Sequence, residues 1–142
     1  MNRLHGTMPL ARYEIAANAT IHAEELVALN AAGKAVPAAD TAGLRVIGIA
    51  KSVSAEGVEI EDGIFALAND TTSPVTRVMR GKLCVVKDAA TVAAAGTNSI
   101  AAGLVVDVYD NEVYADLRLP ALAVAVAQQT ADAAAAAAAN KA

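Results

Sequence analysis

The side chains of this 142-residue chain able to support chemistry are two histidines, one cysteine and a few carboxylate groups. General-base catalysis needs a histidine held within hydrogen-bond reach of a nucleophile and an orienting carboxylate. His5 lies near the start and His22 ahead of the first apolar run, and neither stands in a recognisable constellation with Ser, Cys or a carboxylate. Both read as exposed or edge histidines. Cys84 alternates inside Leu83-Cys84-Val85-Val86, the setting of a buried, inert thiol. A single cysteine also excludes an internal disulfide and fits a reducing compartment.

Carboxylates offer two further possibilities. Asp107, Asp110, Glu112 and Asp116 supply oxygen ligands of the kind calcium takes, but the central glycine of a calcium loop is missing. On strands, 110, 112 and 116 share one face and 107 points away, the pattern of a solvated hairpin. Glu59, Glu61 and Asp62 beside Gly63 could pair as acid and base, yet nothing nearby raises a pKa, and they read as a solubilising turn. Met79-Arg80-Gly81-Lys82 is distantly similar to the lysine hairpin of biotinyl and lipoyl carriers, but the residues flanking Lys82 do not match the modified motif. No Gly-rich turn precedes a helix, so no phosphate loop is expected. The expectation is a protein that is not an enzyme, with no catalytic residue, cofactor or metal.

The elements carrying these groups are strands. The chain has 37 Ala, and its remaining apolar content is 16 Val and 7 Ile against 11 Leu, a β-branched bias. With one Phe, three Tyr and no Trp, any core is built from small aliphatics. Net charge is −4 with 11 basic residues scattered along the chain, so no basic patch for nucleic acid is expected. The start lacks the apolar core of a signal peptide, and Leu119–Ala127 is too short to span a bilayer. The expectation is a protein without a membrane partner, soluble and cytoplasmic when made.

A β-rich pattern occurs twice. Leu26-Val27-Ala28-Leu29, Ala42-Gly43-Leu44 through Ile49, and Gly57-Val58-Glu59-Ile60 are echoed by Leu83-Cys84-Val85-Val86, Ala102-Gly103-Leu104 through Val108, and Glu112-Val113-Tyr114-Ala115. Leu26 to Leu83, Gly43 to Gly103 and Val58 to Val113 lie 57, 60 and 55 positions apart, a drift explained by loop insertions. Gly33, Glu56-Gly57, Asp62-Gly63 and Asp110-Asn111 are turn signals. Many short strands with frequent turns predict an all-β fold, a small barrel or sandwich of two pseudo-repeated units.

Flanking segments differ in kind. Residues 1–18 read as an extended N-terminal arm in which Met8, Leu10, Tyr13 and Ile15 alternate as a strand when an edge is supplied. Residues 19–118 form the β-rich domain. From Pro120 an Ala-rich run predicts a helix, giving a C-terminal tail over 119–142.

Ala19-Thr20-Ile21-His22-Ala23-Glu24-Glu25-Leu26 through Ala38, followed by Leu44-Arg45-Val46-Ile47-Gly48-Ile49-Ala50, resembles the capsid decoration proteins of tailed bacteriophages, also called cement or head-stabilising proteins. Gly81-Lys82-Leu83, Ala102-Gly103-Leu104-Val105-Val106 and Val113-Tyr114-Ala115-Asp116-Leu117 resemble that family's closing strands. The resemblance spans residues 19–118 and rests on small strands and Ala-Gly turns. Where relatives often carry Gly before the first strand, this chain has Glu24-Glu25.

The resemblance implies a structural virion protein on the outer surface of a head. It would bridge major capsid protein subunits and stabilise the expanded shell, commonly as a homotrimer. It implies an arm that binds the shell, here through Met8, Leu10 and Tyr13. The alternative is a head-fibre base or another minor virion or tail protein.

Overall fold

The computed structural model describes residues 12–118. Ten strands and one 3-10 turn follow one another: β1 Arg12–Tyr13, β2 Leu26–Leu29, β3 Ala35–Pro37, β4 Arg45–Ser54, β5 Gly57–Glu61, β6 Ile64–Asn69, the turn Arg77–Met79, β7 Leu83–Val86, β8 Thr91–Ala93, β9 Ala101–Tyr109 and β10 Glu112–Asp116. The all-β barrel expected from the pattern is present. The predicted Ala-rich helix of 119–142 lies outside the described residues.

Local chemistry sets the turns. Between β2 and β3 the Asn30 side-chain oxygen accepts from the amides of Ala32 and Lys34, each at 3.0 Å, an Asx arrangement that stands in for backbone bonding. The β4–β5 and β9–β10 hairpins each turn through two residues, Ala55-Glu56 and Asp110-Asn111, with Asp110 at φ 51°.

The two halves repeat strand by strand. In the second, β6, β10, β9, β7 and β8 close into a barrel. In the first, the order β1-β5-β4-β2-β3 forms a five-stranded sheet. The segment carrying β1 also meets the far edge: Ile15 makes a parallel bridge to Ala35 of β3. The Ala35 amide donates to the Glu14 carbonyl at 2.8 Å and the Ala16 amide to the Ala35 carbonyl at 2.9 Å. β6 plays the same double part, antiparallel to β10 and parallel to β8. Residues 12–16 of the expected arm thus complete the first unit.

Register carries the match to single residues. Tyr13 pairs with Val58 as Leu67 pairs with Val113. Val27 faces Gly48 as Cys84 faces Gly103. Both β4 and β9 bulge at the same place, skipping Lys51 and Val106 respectively. The structural partner of Gly103 is therefore Gly48, and the sequence match of Gly43 to Gly103 is corrected. Gly48 is crowded by β5 through Ile60 and Glu61, and Gly103 by β10 and the Leu117 that follows it.

Each unit holds its own interior. Val27, Ala35, Ala50, Val58, Ile60 and Ile21 form the first cluster, with Tyr13 and Ile15 packed against it. The second cluster fills the barrel with Cys84, Val86, Val92, Val105, Val113 and Leu117. Leu26, Ala28, Val46 and Ile49 from the opposite face of β2 and β4 join it and weld the units together. This is the period-2 alternation of strands buried on both faces. Each fully buried Val or Leu contributes about 1.5–3 kcal/mol, so many small side chains replace a few aromatic ones.

Candidate functional site

Several of the groups able to support chemistry are engaged in holding the fold, while His5 lies outside the described residues. Cys84 is fully buried, its Sγ donates to the Gly103 carbonyl at 3.4 Å, and burial pushes its thiol up to about 11. Asp40 ties the units together. It accepts from the amides of Thr97 and Asn98, each at 2.9 Å, and those bonds, that of Asn98 foremost, hold its carboxyl below the usual range. Asp116 is 5% exposed and takes a two-pronged bond from Arg118 at 2.9 and 2.6 Å, which lowers its pKa. Glu59 is lowered by its side-chain bond to Arg12. His22, given no carboxylate partner by the sequence, meets Glu25 at 3.1 Å because the turn folds back within three residues. Its ring is largely exposed.

Asp107 is also repositioned. It pairs directly with Tyr114, so it shares the outer face with Glu112 and Asp116 instead of pointing away. The bulge at Val106 shifts the alternation by one residue and produces this difference. Among the described residues no group of three or more His, Cys, Asp or Glu is placed to hold a metal ion. A cleft of about 430 Å³ runs between β4 and β6, lined by Glu24, Ile49, Lys51, Glu61, Phe65 and Leu67. No helix among the described residues is long and apolar enough to cross a membrane.

The feature left over is the outer face of β6, β10 and β9. The duplicated fold supplies its own comparison, because register assigns each outward position a counterpart. On the first unit these positions are Arg12, Lys51, Ser52, Ser54 and Glu59, and Arg12 pairs with Glu59 and Glu56. On the second they are Ala66, Val106, Asp107, Tyr109 and Tyr114. Among the described residues, four of the five exposed large apolar side chains belong to the second unit: Ile64, Val78, Val106 and Tyr109, against Val53 on the first.

This face is ordered. The Tyr109 and Tyr114 rings meet edge to face at 5.7 Å. The Arg77 guanidinium lies 5.0 Å from the Tyr109 ring centre, and its Nε donates to the Val108 carbonyl at 3.1 Å. Asp107 stands 3.4 Å from Arg77. Cation–π and edge contacts hold the tyrosine broadside while about half of it remains exposed. In the sequence this face was hidden among charged hairpin residues. Tyr109, Tyr114 and Arg77 were singled out by no motif, and the only signal was the departure of one copy from the other.

The expected contact residues separate. Tyr13 is half-buried, pairs with Val58 and packs on the interior of the first unit. Met8 and Leu10 lie outside the described residues. No family model, curated protein or solved structure matches this chain.

Proposed function

We propose that this chain is a structural virion protein that binds the outer surface of a phage head, bridging major capsid subunits and stabilising the expanded shell. The observation that carries the reading is the contrast between the two units. One fold is used twice, Cys84, Asp40 and Asp116 are spent on packing and junction contacts, and one copy presents apolar and aromatic groups where the other presents polar and charged ones. That is the construction of a docking protein. Residues 1–11, with Met8 and Leu10, precede β1 and supply a segment for the shell. A segment that docks in extended form adds backbone hydrogen bonds to a shell strand.

Binding only the expanded state stabilises it by mass action. The trimer rests on the resemblance alone, and three copies acting together would convert modest contacts into tight holding. The test is cosedimentation of the purified chain with expanded, undecorated heads of the phage that encodes it. The full chain should pellet with heads and raise their disruption temperature. A chain lacking residues 1–10 keeps β1 and should fold yet bind weakly. A full chain that stays in the supernatant would refute the proposal.

A further inference from the structure

We infer that the edge of β5 at Ile60–Asp62 is a strand-binding site for this chain's own segment Pro9-Leu10-Ala11. The inference goes beyond the proposed role on a head and needs no head for its test.

Among the described residues this edge is open. β1 pairs with β5 only through Arg12 with Glu59 and Tyr13 with Val58. The Ala50 amide donates to the Glu25 carbonyl at 2.8 Å, on the β2 side of β4, so Ile49 turns to β5 and bonds Glu61. The neighbouring Ile60 therefore aims its amide and carbonyl at the β1 side, one pair beyond Glu59. Ile60 is 6% exposed, and backbone groups buried that deeply need partners.

The second unit identifies the occupant. Tyr13 with Val58 corresponds to Leu67 with Val113, and there β6 continues, pairing Phe65 with Ala115 and Ile64 with Asp116. The same register in the first unit pairs Ala11 with Ile60 and Leu10 with Glu61. One step further the Leu117 amide donates to the Gly63 carbonyl at 2.7 Å, and the corresponding bond runs from Asp62 to Pro9. Proline suits that place, because the bond uses its carbonyl and it has no amide hydrogen to leave unpaired. Alternation turns Ala11 inward, as half-buried Phe65 is, and Leu10 outward, as Ile64 is. Connectivity favours this segment over any other, since it directly precedes Arg12 and continues β1 past Ile60 and Glu61. The part that leaves the domain is then residues 1–8.

Hydrogen exchange followed by NMR tests this on the full chain. The amides of Ala11, Ile60 and Asp62 should be protected. In a chain beginning at Arg12, which keeps β1, Ile60 and Asp62 should exchange roughly tenfold faster or more while Glu61 is unchanged. The melting curve of that chain reports whether it folds. A cysteine pair in the full chain supplies an independent arm. Leu10→Cys with Glu61→Cys puts two thiols on a non-hydrogen-bonded pair about 4.5 Å apart at Cα, within the span of about 4.4–6.8 Å that a disulfide bridges. Mild oxidation should close it within one chain, read by intact mass, while Leu10→Cys with Asp62→Cys should stay open. Fast Ile60 exchange in the full chain, or exchange that a folded truncated chain leaves unchanged, overturns the inference. So does a Leu10→Cys, Glu61→Cys chain that stays reduced, closure of the control pair instead, or a link between two chains, which would give the edge to a second copy.

Discussion

Adding one methyl group at Gly48 should cost more than adding it at the matching Gly103, and the structure gives the reason. A Cβ on Gly48 would lie 2.7 Å from the Glu61 carbonyl oxygen and 2.7 Å from Ile60 Cγ2. That carbonyl belongs to the β4–β5 ladder, where Ile49 pairs with Glu61, and has no room to retreat. Gly48 also sits at φ +144°, a region that side-chain-bearing residues occupy at a cost of about 1–3 kcal/mol. Overpacking adds about 1–3 kcal/mol.

Gly48→Ala should therefore lose about 2–6 kcal/mol, the sum of those two ranges. A Cβ on Gly103 would meet Leu117 Cδ2 at 2.7 Å and the Asp116 carbonyl at 3.0 Å, without the positive φ. Leu117 is fully buried, so its side chain yields only partly, and Gly103→Ala should lose about 1–3 kcal/mol. Domains of this size have about 5–15 kcal/mol in all, so Gly48→Ala should move the urea midpoint far at constant slope. A Gly48→Ala protein within about 0.5 kcal/mol of wild type, the scatter of ordinary surface substitutions, would refute the reasoning. So would one more stable than Gly103→Ala.

Three further outcomes are expected. Glu24 sits at φ 72° where its counterpart Gly81 sits at φ 82°, so Glu24→Gly should stabilise by about 0.5–1 kcal/mol, strain relieved less backbone entropy lost, read as a raised melting temperature. Cys84, buried and with its thiol pushed up to about 11, should resist a disulfide reagent at pH 8 in the native protein and react once urea unfolds it; rapid native labelling would contradict its placement. Asp40, Glu59 and Asp116 all have folded pKa values below their ordinary ones, so their stabilisation is complete above the unfolded carboxylate range near pH 4 and is lost as pH falls through the folded values. Asp40→Asn should flatten part of that acid dependence, measured as midpoint against pH between about 2 and 5.

Local patterns were legible in the sequence wherever a short-range signal decides the backbone. Asp110-Asn111 between apolar runs marked its hairpin, and the doubled β pattern marked two units. Alignment of the copies failed where letters and register disagree. Ala42-Gly43-Leu44 matches Ala102-Gly103-Leu104 by eye, but strand pairing is set by which residue faces which, and the pairing puts Gly48 opposite Val27 as Gly103 is opposite Cys84.

The alternation of Tyr13 and Ile15 was legible as a strand awaiting an edge, but that the edge lies within the chain was not. The partners Glu59 and Val58 lie more than forty residues away, and β1 shares a fold position with β6 but almost no residue types. Outward faces are the least legible of all. Tyr109 and Tyr114 become informative only after register names Ser54 and Glu59 as their counterparts.

A reconstruction of expanded heads incubated with this chain tests the central claim most directly. The account predicts density for two joined five-stranded β units on the outside of the shell, each bridging neighbouring shell subunits. Bare heads under saturating protein, or density confined to the tail or the interior, would contradict it.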